Sequence, residues 1–134
     1  MTDQLNLPTT ELGPVQIRVP AEPALSRVLR LAASGLVAMA EFSIDEIEDV
    51  KIAVSEVLIA LVEHGDGLPV DLRFDIVGDV FTVHGSTTVT TFDASHPDLA
   101  LCRTVLASVS ADHGIEVANG DASIWATVQH ERAS

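Results

Sequence analysis

Glu56, Ala60 and His64 stand four residues apart in the stretch SEVLIALVEHG, near the middle of the chain. On a helix this spacing puts a carboxylate and an imidazole on one face, two groups able to pass a proton to or from a substrate. The methyl group between them has no lone pair and no proton to give. At 100° per residue, Asp49, Glu56, Ala60, Glu63 and His64 cluster opposite an apolar stripe of Ile47, Val50, Val54, Val57, Leu58 and Leu61. The face that carries the chemistry is therefore expected to look away from the core.

Other reactive residue types are more scattered. The histidines are His64, His84, His96, His113 and His130, with no two at metal-ligand spacing on one helix face, so no metal site is expected. Glu63, His64 and Asp66 suggest a weak surface cation site, although a histidine at a helix C-terminus is also explained by the macrodipole. Cys102, the single cysteine, falls on the apolar face of an expected helix and reads as a small core residue. Ser86, Thr87, Thr88, Thr90 and Thr91 have no base near them in sequence and read as a loop or an edge strand. Arg27 and Arg30, one helical turn apart in a chain poor in basic residues, are expected to form an outward patch able to grip an acidic partner through bidentate contacts.

The elements that position these residues follow from periodicity. Val15, Ile17 and Val19 alternate with polar residues as in a half-buried strand, which Pro20 ends. Leu25, Val28, Leu29, Ala32, Leu36 and Met39 recur at helical spacing between about Glu22 and Glu41. Ser43-Ile44-Asp45-Glu46 is a capping box that starts a second helix, with Phe42 and Ile47 as a hydrophobic staple, and Gly65-Asp66-Gly67 stops that helix. Val70 to Ile76 and Val80 to Val83 form a hairpin across Gly78-Asp79, and Ser95 with Pro97 marks a third helix before Gly114. A last pair of strands, about 115–118 and 122–129, is joined through Asn119-Gly120. The order β-α-α-β-β-α-β-β predicts an α+β fold: a two-layer sandwich of a mixed, largely antiparallel sheet covered by about three helices. Residues 1–14 read as a flexible leader, 15–130 as one domain and 131–134 as a tail.

A chain of 134 residues is long enough for one real core, burying roughly two-thirds of its unfolded surface. Seven basic against twenty acidic residues give a formal charge of -13, a field that repels phosphate backbones and anionic lipid heads. Nucleic acid and membrane partners are not expected. The absence of a long apolar run and of a basic-then-apolar leader predicts a cytoplasmic location.

The element order and the frame Ala53-Val54-Ser55-Glu56…His64 make the span 15–130 similar to the GHKL (Bergerat-fold) ATPase domain, closest to the bacterial serine-kinase anti-sigma factors. The resemblance implies that Glu56 stands where the family has its general base. Ala60 then replaces the asparagine that ligates the magnesium on ATP. The adenine-reading aspartate and its glycines correspond to Thr87, Val89 and Thr91, and the phosphate-binding glycine turn corresponds to Asp98-Leu99-Ala100-Leu101. All three nucleotide motifs are degraded: a methyl offers no metal ligand, threonine lacks the aspartate charge, and Asp98 and Ala100 replace bare backbone where phosphate would sit. The resemblance therefore implies a regulatory binding protein whose partners are a sigma factor, an anti-anti-sigma protein or both, with no cofactor and a vestigial nucleotide site. A working ATP-dependent serine kinase using Mg-ATP with Glu56 as base is the alternative. An adaptor or homodimerisation module is a third reading.

Overall fold

The structure is a computed structural model and describes residues 13–131. The leader read over 1–14 and the tail over 131–134 thus lie largely outside the described residues. The elements are β1 (Val15–Val19), a 3-10 turn (Pro23–Leu25), α1 (Ser26–Met39), α2 (Ile44–His64), β2 (Val70–Val77), β3 (Val80–Thr88), α3 (Pro97–Val109), β4 (Asp112–Ala118) and β5 (Asp121–Gln129). The five strands form one sheet in the order β1-β2-β3-β5-β4. Each neighbouring pair is antiparallel, so the expectation of a mixed sheet narrows to an antiparallel one among the described strands.

Local chemistry sets the turns. Gly78 (φ 60°) opens the two-residue turn between Val77 and Val80, and Asn119 and Gly120 (φ 55° and 80°) form the left-handed pair that a tight hairpin needs. The Ser43 hydroxyl accepts the Glu46 amide while the Glu46 carboxylate accepts the Ser43 amide, which is the expected capping box. Gly65 ends α2 in an extended conformation, not the left-handed one such a stop commonly uses. A Cβ there would lie against the Leu61 carbonyl oxygen.

The core is the layer between α2 and the sheet. Val54, Val57 and Leu58 are sealed from solvent against Leu72, Phe74, Phe81 and Ile124, each contributing about 1.5–3 kcal/mol by burial. Gly85 lets the helix approach β3. A Cβ at that position would sit 2.7 Å from Val57 Cγ1 and 2.8 Å from Leu61 Cδ1.

Several expectations are corrected. The buried edge of α1 is Ser26, Leu29, Ala33 and Val37, whereas Val28 and Met39, read as part of its apolar stripe, are exposed together with Leu31. The small residues Ser26 and Ala33 allow close packing on α2, which rotates the contact line away from the bulkier side chains. Ser86, Thr87 and Thr88 belong to β3, the middle strand of the sheet, and not to a loop or edge. The α3 cap is His96, whose Nδ1 accepts the Asp98 amide at 3.1 Å, while Ser95 bonds back to Asp93.

Candidate functional site

The site that the sequence singles out lies where the C-terminal half of α2 meets the start of α3. A cavity of about 210 Å³ is bounded there by Glu56, Ala60, His64, Asp98, Leu99 and Cys102, among others. The α2 face expected to look outward is in fact partly roofed by α3. Leu99 and Cys102 lie over it, Ala60 is buried, and Glu56 and His64 are half-covered. The reason is the apolar edge of α3, which packs on α2 as a second contact line beside the one facing the sheet.

Burial raises the Glu56 carboxyl above its ordinary value, and the charge of Glu63 adds to the effect. Burial likewise pushes the Cys102 thiol up to about 11, with the Glu56 charge contributing, so Cys102 is an inert core thiol. No oxygen ligand for a metal is presented at position 60. Asp98 places an exposed carboxylate at the α3 N-terminus, where the phosphate turn of a nucleotide site would offer backbone amides.

The connection 89–96 is short and tied down. Val89 N–H donates to the Gly120 carbonyl at 2.8 Å, and Thr90 N–H and hydroxyl both donate to Asp66 Oδ2 at 2.8 and 3.1 Å. Arg103 donates to the Ala94 carbonyl at 2.9 Å. Thr87, which the resemblance sets against the adenine-reading aspartate, is buried, and its hydroxyl donates to the Pro69 carbonyl at 3.0 Å. Thr87 and Ala100 do not line the cavity, and Ala100 is exposed. Of the vestigial set, the structure brings together Glu56, Ala60, His64 and Asp98 only.

It also brings in residues that sequence reasoning missed. His96 lies beside His64, ring centroids 4.8 Å apart, and Phe92 meets His64 edge-on at 6.4 Å. The Asp98 carboxylate is 3.9 Å from His64 Nε2 and 3.8 Å from His96 Nδ1. Hydrogen bonds from the Ser95 hydroxyl and amide hold the Asp93 carboxyl below its ordinary value, and His96 and His64 add smaller attractions. A sequence signal existed: His96 directly precedes Pro97 at the helix start.

The arginine patch is corrected. Arg27 is exposed, but Arg30 turns into the α1–α2 seam, where its Nη1 donates to Ser26 Oγ at 3.0 Å and Ser55 Oγ at 2.9 Å. The two do not form one outward donor pair.

No protein-family model matches the chain. Curated relatives do. The serine-protein kinase RsbW of Bacillus velezensis is 38% identical over 56 residues, covering 42% of this chain and 35% of that protein. RsbW of Bacillus subtilis is 36% identical over 69 residues (48% and 43%), and RsbW of Listeria innocua is 36% identical over 84 residues (59% and 53%). The chain thus spans about half the length, or less, of the curated relatives it matches. Among solved structures, the RsbU and RsbW domains of Rv1364c from Mycobacterium tuberculosis superpose with a TM-score of 0.74 at 16% identity, over 92% of this chain and 34% of that one. The chain is therefore similar in sequence to the RsbW serine-protein kinases and shares the fold of a structure containing an RsbW domain, which bears out the resemblance to the GHKL-like domain of that branch.

Proposed function

We propose that this chain is a regulatory binding protein of the anti-sigma type that holds a sigma factor, an anti-anti-sigma protein or both, and that it no longer binds ATP. The observation that carries the loss of ATP is the cavity of about 210 Å³ between α2 and α3, lined by Ala60 and Asp98, with the connection 89–96 separately pinned to Asp66 and Gly120. That volume falls below the range of about 300–1,000 Å³ typical of small-molecule sites. A triphosphate entering it would meet the Asp98 carboxylate and find no magnesium ligand at position 60. Partner exchange needs only differential affinity, which a protein surface supplies without turnover. The surface best suited to a partner is α1, where Arg27 stands beside the exposed Val28 and Leu31.

A second reading, an ATP-dependent serine kinase, is favoured by Glu56, whose raised carboxyl faces the cavity as a general base would. One experiment separates the two. The purified chain is titrated calorimetrically with Mg-ATP, then incubated with radiolabelled ATP and the sigma-type and anti-anti-sigma-type proteins recovered by pull-down from its host. The expected result is a stable complex with such a partner, no heat from Mg-ATP, and none from Ala60→Asn, because the connection and Asp98 are unchanged. Micromolar ATP affinity, or label transferred by wild type and not by Glu56→Gln, establishes the kinase. Recovery of no such partner removes the anti-sigma reading.

A further inference from the structure

His64 is the last residue of α2, His96 caps α3 and Asp98 lies in the first turn of α3, so two helix ends and one short connection deliver three donors to one point. One ligand atom from each lies within 4.8 Å of the other two. We propose that His64, His96 and Asp98 bind a divalent transition cation of the zinc class, in the corner of the fold where the relatives' nucleotide chemistry would otherwise lie.

Two imidazoles and one carboxylate form a ligand set suited to zinc and its neighbours, and poorly suited to magnesium or calcium, which take oxygen ligands. Donors around a tetrahedral zinc stand about 3.3 Å apart, given bond lengths near 2.0–2.1 Å. The carboxylate separations of 3.8 and 3.9 Å are about half an ångström longer, and the pair of histidine nitrogens is the widest, at up to 4.8 Å. Closing the site takes a shift of both Asp98, whose side chain is 71% exposed, and the His96 ring, 43% exposed, toward His64, which is held at 14% exposure under Phe92 and α3. The Nδ1 lone pair of His96 is now occupied by the Asp98 amide, and coordination exchanges that hydrogen bond for a metal bond.

The α3 N-terminus opposes a cation with partial positive charge, but the other fields favour one. The C-terminal end of α2 contributes partial negative charge at His64. The chain carries a formal charge of -13. Three protein donors leave a fourth position for water or for a side chain of a bound partner. The ion would act independently of any nucleotide, and its binding does not depend on the anti-sigma reading.

The test uses the full chain, stripped with chelator and titrated with zinc chloride against a chromophoric competitor. One zinc per chain is expected at micromolar affinity or better, with no competition from magnesium. His96→Ser keeps the helix cap, since a serine oxygen accepts the Asp98 amide, but removes the imidazole. This change and His64→Gln should each weaken zinc by at least about tenfold, while His84→Ala, on the exposed face of β3, leaves it unchanged. Cobalt should give the visible absorption of a tetrahedral nitrogen and oxygen site in wild type and lose it in both variants. Absence of zinc binding by the wild type at about 100 µM overturns the proposal. So does undiminished binding in the combined His64→Gln, His96→Ser variant.

Discussion

The two ends of α2 carry similar residue types in opposite states. At the N-terminal end both oxygens of the Glu46 carboxylate are engaged: Oε1 accepts from Ser43 N–H and lies 2.7 Å from His130 Nδ1, and Oε2 accepts from Glu131 N–H at 2.8 Å. The His130 ring stacks on Phe42 at 5.0 Å. Burial raises the Glu46 carboxyl, but the hydrogen bonds from Glu131, Ser43 and His130 outweigh it and hold the group at about 2. At the C-terminal end Asp98 faces two histidines at 3.8 and 3.9 Å, too far for hydrogen bonds, and stays largely exposed. A carboxylate with both oxygens engaged fastens the chain, here the end of β5 to the start of α2. One that faces two imidazoles without touching them retains its capacity for a ligand.

The largest expected effect lies between the ends. Val54 is fully buried midway along α2, and Val54→Asp would place a carboxylate among Val57, Leu58 and the sheet without a partner, at a cost of several kcal/mol. The variant should be unfolded at room temperature by circular dichroism. A cooperative melt near the wild-type temperature would mean that α2 does not carry the core, and both ends would lose their common support.

Next comes Glu46→Gln. Glutamine keeps one oxygen but turns an NH₂ toward the Glu131 amide, leaving a donor facing a donor, and should cost about 1–3 kcal/mol in urea unfolding. The pH sign follows from the depressed carboxyl. Its contribution is fully present above the unfolded value of 4.5 and is lost as pH falls toward about 2. Wild-type stability should therefore decline across that window, and the decline should be shallower in the glutamine variant. Parallel curves would show that the acid loss arises elsewhere.

The same contrast explains what the sequence disclosed. The capping box and the Asn119-Gly120 turn were legible because each is settled by residues within four positions of one another. The order of the elements, and hence the α+β sandwich, followed from period-two and helical patterns. The face of α1 was misjudged because Arg30 finds Ser55 on another helix, and small residues set the contact line where larger apolar ones draw the eye. The site was half legible. Glu56, Ala60 and His64 share one helix, but their cover by α3 and the approach of His96 to His64 are tertiary facts that no local spacing encodes.

The smallest expected effect tests whether the C-terminal end of α2 is structural at all. In metal-free protein, Asp98→Asn removes two carboxylate–imidazole contacts of 3.9 and 3.8 Å and a favourable charge near the α3 N-terminus. Such terms sum to no more than about 0.5–1 kcal/mol, so the melting temperature should fall less than for Glu46→Gln. With excess zinc the ranking changes in a defined way. Wild type gains stability through binding to the native state alone, by an amount that grows with the ratio of free zinc to its dissociation constant. The asparagine variant should gain less, because its neutral amide is a poorer ligand, and the gap between the two proteins should widen on adding metal. Glu46→Gln and its wild type should shift in parallel under the same conditions. If the Asp98→Asn gap is already as large without metal as the Glu46→Gln one, Asp98 is a second fastening point and the contrast between the two ends of α2 fails.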